Sequence, residues 1–344
     1  MSEGPGRTGR KGTRPLVVGV DVGGTKVAAA VVKGDGEILG RVMDPTDLDS
    51  PNETLKGIAG AVSRAIQAAG CETSDISAVG LGIPGKVDPA TGKGILSVNL
   101  GWRDVPVRDS LQDALRLPCA IENDVKAAAL GEHRFGVGRG LRNMIYLIIG
   151  TGIEAGVIID GRLYRGSTGM AGEIGHAVID PRGPVCKCGG KGCLEAIASG
   201  PAILARGSSI ASWVPEEGSS EGSARIRQAT AGAIFDAATR GDPAAAEIVR
   251  EVSKYLGLAV QWLIMAFDPQ LVVLAGGVAQ AGRPLLDSVR WQLAGLAEDS
   301  LVFREMFAAE SIQLSELGVD AGVLGAAALA VRLSSGTGEG AADA

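Results

Sequence analysis

The sequence predicts an α/β protein built from two related lobes, and three observations carry that prediction. Apolar strand-like segments alternate with Ala-rich helical ones along most of the 344 residues, the order that α/β architectures require. Glycine supplies 52 of those residues, about twice the usual ~7%, and it falls at tight turns between apolar segments. A unit also recurs: "GTKVAAAVVKGDG" (24–36) and "GTGIEAGVIIDG" (150–161) align at an offset of 126. Each copy is Gly-Thr, then alternating apolar residues, then a glycine turn, and each follows a strand. Chance likeness between two hairpins is the competing reading. Two lobes that each open with the same Gly-Thr hairpin would wall a cleft between them.

The elements follow in chain order. "LVVGVDVGG" reads as a strand, "TKVAAAVV" as its hairpin partner, and "GDGEILG" as a turn into a third strand. In 53–70, Leu55, Ile58, Ala59, Val62, Ala65 and Ile66 form a helical stripe that ends on Gly70. "SAVGLGIPG" (77–85) is a strand running into a Pro-Gly turn. "CAIEND" (119–124) is a short strand ending in polar residues, and 125–136 is a helix. "MIYLII" opens the second copy of the repeat. Residues 268–296 read as a buried strand, a Gly-Gly turn and a helix, and 320–334 as a closing Ala-rich helix. The Gly/Ser-rich segment 207–224 reads as a loop, and 1–14 and 336–344 as disordered tails.

Length favours about two domains. The net charge of −6 argues against a nucleic-acid or anionic-membrane surface. The basic run 7–14 sits in the Gly-rich start and reads as tail. No apolar stretch approaches the ~20 residues of a spanning helix, and no secretory leader is visible, so a cytoplasmic protein is expected. Its five cysteines are then thiols or metal ligands in preference to disulfides. Cys71 and Cys119 read as buried thiols, and His133 as a surface or core histidine.

The glycine turns carry chemistry. In "DVGGTK", Gly23, Gly24 and Thr25 offer bare N–H groups and a hydroxyl at a hairpin tip, a concavity suited to phosphate oxygens. Asp21 ends a strand where it can hold a charge-shielding cation, and Lys26 adds a point charge. An ordinary glycine turn is the plain alternative, and the full phosphate-loop pattern with its helix is missing. Gly150-Thr151-Gly152 repeats the device, and Gly276-Gly277 of "LAGGV" would admit a base or ribose. Asp124, after Glu122 and Asn123 at a strand end, can accept a proton from a hydroxyl while Asn123 bonds a neighbouring one. Alternatively, Asn123 or Asp124 simply caps the helix. A weak base suffices for phosphoryl transfer, whose loose transition state depends on positioning and charge more than on basicity.

"HAVIDPRGPVCKCGGKGCLE" (176–195) crowds three of the five cysteines and one of the two histidines together. His176, Cys186, Cys188 and Cys193 make a Cys₃His set suited to structural zinc; a redox thiol cluster or inert cysteines are the alternatives. A histidine that gives one ring nitrogen to zinc presents the other in a fixed orientation. Glu173, His176 and Glu195 would then form a rigid fence of hydrogen-bonding groups suited to polyol hydroxyls.

These stretches together resemble the ROK family of bacterial sugar kinases, of the glucokinase type. The resemblance spans about 15–335 and rests on "GVDVGGTK" (19–26), "GIPG" (82–85), "NLGWRDVP" (99–106), "ENDVKAAALGE" (122–132), "GTG" (150–152), "GEIGH" (172–176), "CKCGGKGCLE" (186–195) and "LAGGV" (274–278). It implies the actin-like ATPase/sugar kinase fold with ribonuclease H-like duplicated lobes and a structural zinc loop. The small lobe would be 15–122 plus 319–335, and the large lobe 123–318. It implies Asp124 as general base, with sugar contacts from Gly85, Asn99, Asn123, Gly152, Glu173, His176 and Glu195. ATP phosphates would meet Gly23, Gly24, Thr25, Lys26 and Thr151, with Asp21 near Mg²⁺, and zinc would take His176, Cys186, Cys188 and Cys193. The product would be a hexose 6-phosphate, made by a homodimer or homotetramer.

Two departures stand out. Many relatives read Gly-Thr-Gly-Ile-Gly-Gly-Gly where this chain reads Gly-Thr-Gly-Ile-Glu-Ala-Gly. Strand alternation places Glu154 on the face of Gly152, where it could repel phosphate, bond substrate or pair with a lysine. Another hexose, an amino sugar or a cyclitol thus competes with glucose as substrate. The family's repressors carry an N-terminal helix-turn-helix, and the 14 residues before the first strand are too few for one. A catalyst is therefore expected over a sugar sensor.

Overall fold

The computed structural model describes residues 15–208 and 230–335. The tails expected at 1–14 and 336–344, and most of the loop read at 207–224, lie outside the described residues. Two compact units emerge: one runs to Glu122 and takes up the chain again from Ala326, and the other comprises Asn123–Gly325.

The first unit is built on a five-stranded sheet. Strands β1 (Leu16–Val22), β2 (Lys26–Lys33) and β3 (Ile38–Pro45) form an antiparallel meander. Helix α1 (Pro51–Ala68) then returns the chain to β4 (Ile76–Ile83), which lies parallel to β1. Strands β5 (Lys86–Asp88), β6 (Lys93–Ser97) and β7 (Trp102–Val105) make a separate small sheet, followed by α2 (Val107–Leu115). The chain comes back to the main sheet as β8 (Cys119–Asn123), giving the order β3-β2-β1-β4-β8.

Helix α1 starts where local chemistry sets it. Ser50 Oγ accepts the Glu53 N–H at 3.2 Å, and Pro51, which has no N–H to satisfy, occupies the first turn. Its stripe Leu55, Ile58, Val62 and Ile66 packs with Val18, Val20 and Val31 of the sheet. Both faces of β1 are buried, so it reads as a continuous apolar run and not an alternating one.

The second unit repeats this plan. Helix α3 (Asp124–Phe135) leads to β9 (Met144–Ile149), β10 (Ile153–Ile159) and β11 (Arg162–Tyr164), again an antiparallel meander. Strands β12 (Leu271–Ala275) and β13 (Ile312–Leu314) complete the sheet in parallel with β9, in the order β11-β10-β9-β12-β13. The two sheets thus share one strand order, third-second-first-fourth-fifth. The sequence repeat is a repeat of β1-β2 as β9-β10. A long helix, Pro243–Phe267, covers the second sheet; its Leu256, Val260 and Leu263 pack in one core with Ile145, Leu147 and Val272. No helix among the described residues is long and apolar enough to cross a membrane.

Several boundaries differ from the sequence reading by a residue or two, because caps set helix ends. Helix α1 begins at Pro51, ahead of the first apolar stripe residue, and α3 begins at Asp124 because Asn123 caps it. Cys119 is buried as expected, whereas Cys71 is only half-buried.

Candidate functional site

Four segments of the second unit converge. Helix α3 brings Asn123, Asp124 and Lys126. Strand β10 brings Glu154, the turn at 172–176 brings Glu173 and His176, and the short helix Leu194–Ala198 brings Glu195.

Asn123 is both the last residue of β8 and the cap of α3. Its Oδ1 accepts the Lys126 N–H at 2.9 Å, and its Nδ2 donates to Asp124 Oδ1 at 3.1 Å. The cap reading and the acid–base reading of this dipeptide are therefore compatible. Asn123 takes the capping role, and Asp124 occupies the first helical position, where the helix dipole favours a carboxylate.

Glu154 makes an ion pair. Lys126 Nζ lies 3.2 Å from Glu154 Oε1, with the lysine side chain 2% exposed and the glutamate 17%. Burial pushes the Glu154 carboxyl above its ordinary value; Lys126 opposes that shift, Glu173 adds to it, and a hydrogen bond from Asn123 favours the carboxylate. Of the three roles open to Glu154 from sequence, the lysine partner is the one seen. Sequence reasoning passed over Lys126 itself. The signal was a lone lysine in an Ala-rich helix whose residues Val125–Glu132 are all buried.

The 172–176 turn lies tight on β10. The Ala155 N–H donates to Gly172 O at 2.8 Å, and a Cβ on Gly175 would stand 2.0 Å from Ile153 O. This contact fixes Glu173 and His176 relative to the strand. Glu195 is held from its own side, where Oε2 accepts the Ile153 N–H at 3.1 Å and lies 2.6 Å from where a Gly152 Cβ would stand.

The metal set is assembled. Ligand atoms of His176, Cys186, Cys188 and Cys193 all lie within 4.8 Å of one another. Cys188 Sγ is 3.7 Å from Cys193 Sγ, and Cys186 Sγ is 3.7 Å from His176 Nδ1. A tetrahedron with Zn–S bonds of about 2.3 Å has edges of about 3.8 Å, so the donor set and its size both fit zinc. Nδ1 faces the cluster, which leaves Nε2 on the other side, 3.9 Å from Glu173 Oε2. The loop closes through Gly192, whose positive φ and 1.7 Å virtual Cβ approach to Asp180 O admit only glycine. The Leu194 N–H then donates to Ala177 O at 3.0 Å, tying the end of the loop back to the His176 turn.

A second group of residues in this unit surrounds the β9-β10 turn. Gly150 N–H donates to Gly152 O at 2.9 Å, Gly200 N–H donates to Gly150 O at 2.8 Å, and Val278 N–H donates to Ile149 O at 2.9 Å. These bonds set exposed Thr151 beside the Gly276-Gly277 turn.

In the first unit, the β1-β2 turn is closed by Gly23 N–H donating to Lys26 O at 2.8 Å, and Thr46 Oγ1 donates to Gly23 O at 2.7 Å. Thr25 and Lys26 are exposed at its tip. Asp21 is half-buried; burial raises its carboxyl pKa while Lys26 and Arg41 oppose the rise. The chain at Asn99 runs against the turn, with Asn99 O 3.2 Å from where a Gly24 Cβ would stand. Gly85 is exposed at the end of the Pro-Gly turn, with φ of 96°.

The chain is similar to known proteins over most of its length. Residues 17–332 match the ROK family. A glucokinase of Halalkalibacterium halodurans is 35% identical over 310 residues, 90% of this chain and 92% of that protein. A xylose repressor of Caldicellulosiruptor bescii is 29% identical over 92% of this chain and 78% of its own length. Among solved structures, a ROK hexokinase from Thermus thermophilus is 36% identical with a TM-score of 0.73, covering 94% of this chain and all of that one. A ROK family glucokinase from Streptomyces griseus, in complex with glucose and AMPPNP, is 34% identical with a TM-score of 0.71, covering 92% of this chain and 99% of that one. With duplicated sheets, a Cys₃His cluster and a match running from β1 into the closing helix, this chain belongs to the ROK family.

Proposed function

We propose that this chain is an ATP-dependent sugar kinase that transfers the γ-phosphoryl group to the primary hydroxyl of a hexose, with glucose the first candidate. The observation that carries this reading is Asp124, placed at the first position of α3 with Oδ1 held by the Asn123 amide. A carboxylate so fixed accepts the hydroxyl proton as the new P–O bond forms and the ADP oxygen leaves. Glucokinase and hexokinase relatives at 35% and 36% identity support the same chemistry.

The remaining roles follow the chemistry of each group. Glu173, His176 and Glu195 accept or donate to ring hydroxyls, joined by Asn123, by the open backbone at Gly85 and Gly152, and by Asn99. The two Gly-Thr turns, through Gly23, Gly24, Thr25, Lys26 and Thr151, serve the phosphates, and Gly276 and Gly277 leave room for the nucleoside. Asp21 is the candidate ligand for the Mg²⁺ that accompanies ATP. Zinc held by His176, Cys186, Cys188 and Cys193 is structural: it fixes the His176 ring and the start of the Glu195 helix. A cytoplasmic enzyme that assembles as a homodimer or homotetramer is consistent with this reading.

A coupled ADP-release assay with Mg-ATP and a panel of hexoses tests it. Turnover with glucose or another hexose is expected. Sugar binding without any turnover would replace the kinase with a non-catalytic sugar sensor or regulator, and one relative is named a xylose repressor. Turnover with polyphosphate and no nucleotide would change the donor.

A further inference from the structure

The Lys126–Glu154 pair sits inside the set of residues assigned to the sugar, yet no role in phosphoryl transfer calls for it. Its geometry is specific. Lys126 Nζ reaches Glu154 Oε1 at 3.2 Å while the Lys126 backbone N–H bonds Asn123 Oδ1 at 2.9 Å. The Asn123 amide also bonds both Asp124 and Glu154. An asparagine amide has two donor hydrogens. One goes to Asp124, and the amide is also a hydrogen-bond partner of Glu154. Glu154 thus stands beside the Asn123–Asp124 pair and presents an acceptor there.

Stability does not explain the pair. A buried ion pair gains little over a well-packed apolar pair, because desolvation offsets the attraction. Lys126 has a clear local effect, however. It opposes the burial and the like charge of Glu173, which together raise the Glu154 carboxyl above its ordinary value. The small exposed part of Glu154 remains open to a ligand beside the lysine.

We propose that Glu154, held in place by Lys126 at 3.2 Å, is a specificity-determining residue that accepts a hydrogen bond from one donor group of the bound sugar, a hydroxyl or an amine. This rests on the sugar-kinase reading of the Asp124 site. A site built around a hydrogen bond discriminates strongly against an analogue lacking the matching group, because the buried acceptor is left unpaired. Selectivity among sugars that differ at one ring position is then set by the pair, and not only by Glu173, His176 and Glu195.

The test compares wild type with Glu154→Gln, Lys126→Met and the double variant. Each is measured for kcat/KM and for calorimetric binding with glucose, mannose, galactose, 2-deoxyglucose and glucosamine, and each is melted. In Glu154→Gln, discrimination at one ring position is expected to change by about tenfold or more, with the other positions unaffected. Lys126→Met leaves Glu154 without its cation, so its melting temperature falls and its selectivity shifts in the same direction. The double variant regains the melting temperature but keeps the altered selectivity. Uniform losses across all five sugars, within about twofold, or a double variant with wild-type selectivity, would reduce the pair to a structural one. If wild type binds sugars without turning them over, the binding panel alone decides by the same criterion, so failure of the kinase reading stays distinguishable.

Discussion

Asn123 and Asp124 divide two tasks between adjacent side chains: Asn123 Oδ1 closes the first turn of α3 through Lys126 N–H, and Asn123 Nδ2 holds Asp124 Oδ1 at 3.1 Å. One carboxamide therefore ends a strand, starts a helix and aims a carboxylate. The functional consequence is that the orientation of Asp124 is coupled to the integrity of the helix start.

Asp124→Asn keeps the size of the side chain but removes the proton acceptor. Its expected result is a fall in kcat of about 10²–10⁴-fold, the usual contribution of a positioned base. Sugar affinity by calorimetry should stay within a few-fold of wild type. Near-normal turnover would remove Asp124 from the role of base.

Asn123→Ala should separate the two tasks. Loss of the cap costs about 1 kcal/mol, read as a lower midpoint in denaturant titration. Turnover should fall too, because Asp124 loses the donor that orients it. Asn123→Ser, which can still cap but cannot reach Asp124 with an amide, should restore most of the stability and little of the turnover. If both variants turned over equally, the amide would have no part in aiming the base.

Zinc removal tests the link between the metal set and the sugar fence. His176 presents Nδ1 to the thiols and Nε2 towards Glu173, so releasing the ion frees the ring from both orientations. Metal analysis of the purified protein should find one zinc per chain. Chelation, or Cys186→Ser, should lower the melting temperature and raise the sugar KM more than it lowers kcat. A metal-free protein with unchanged KM and melting temperature would show that the ion does not orient the site.

Much of this architecture was legible in the sequence because its signals are local. The recurrence of Gly-Thr plus an apolar run at offset 126 marks two β-hairpins, and each opens a sheet of the same strand order. The cysteine cluster was legible because its three thiols fall within eight residues, with His176 ten residues before Cys186. The Lys126–Glu154 pair was not, since its partners stand 28 positions apart. Only the packing of α3 on β10 brings them together, as where a Gly156 Cβ would lie 2.3 Å from Ala129 Cβ. Likewise, no local pattern announces that the chain at Asn99 lies against Gly24, a contact between two turns separated by five strands and the helix α1. Element types follow from periodicity, whereas contacts between distant loops follow from how sheets and helices stack.

A matched pair of glycine substitutions tests the packing that carries α3. In the closing helix Ala321–Ser334, Gly325 lies so close to α3 that a Cβ would stand 1.7 Å from Ala127 O. Backbone cannot yield as a side-chain tip can, so Gly325→Ala must push the two helices apart. Overpacking of this kind costs about 1–3 kcal/mol or more. Because α3 carries Asp124 at its start, kcat should fall along with the melting temperature. Gly57, exposed within α1, is the counterpart: a Cβ there meets nothing within 4 Å. Gly57→Ala should stabilise by about 0.5–1 kcal/mol, through the lower backbone entropy of alanine in the unfolded chain, and leave turnover unchanged. Thermal melts and the ADP-release assay on both variants check the contrast. If Gly325→Ala melted and turned over like wild type, the close helix contact would not hold the base in place.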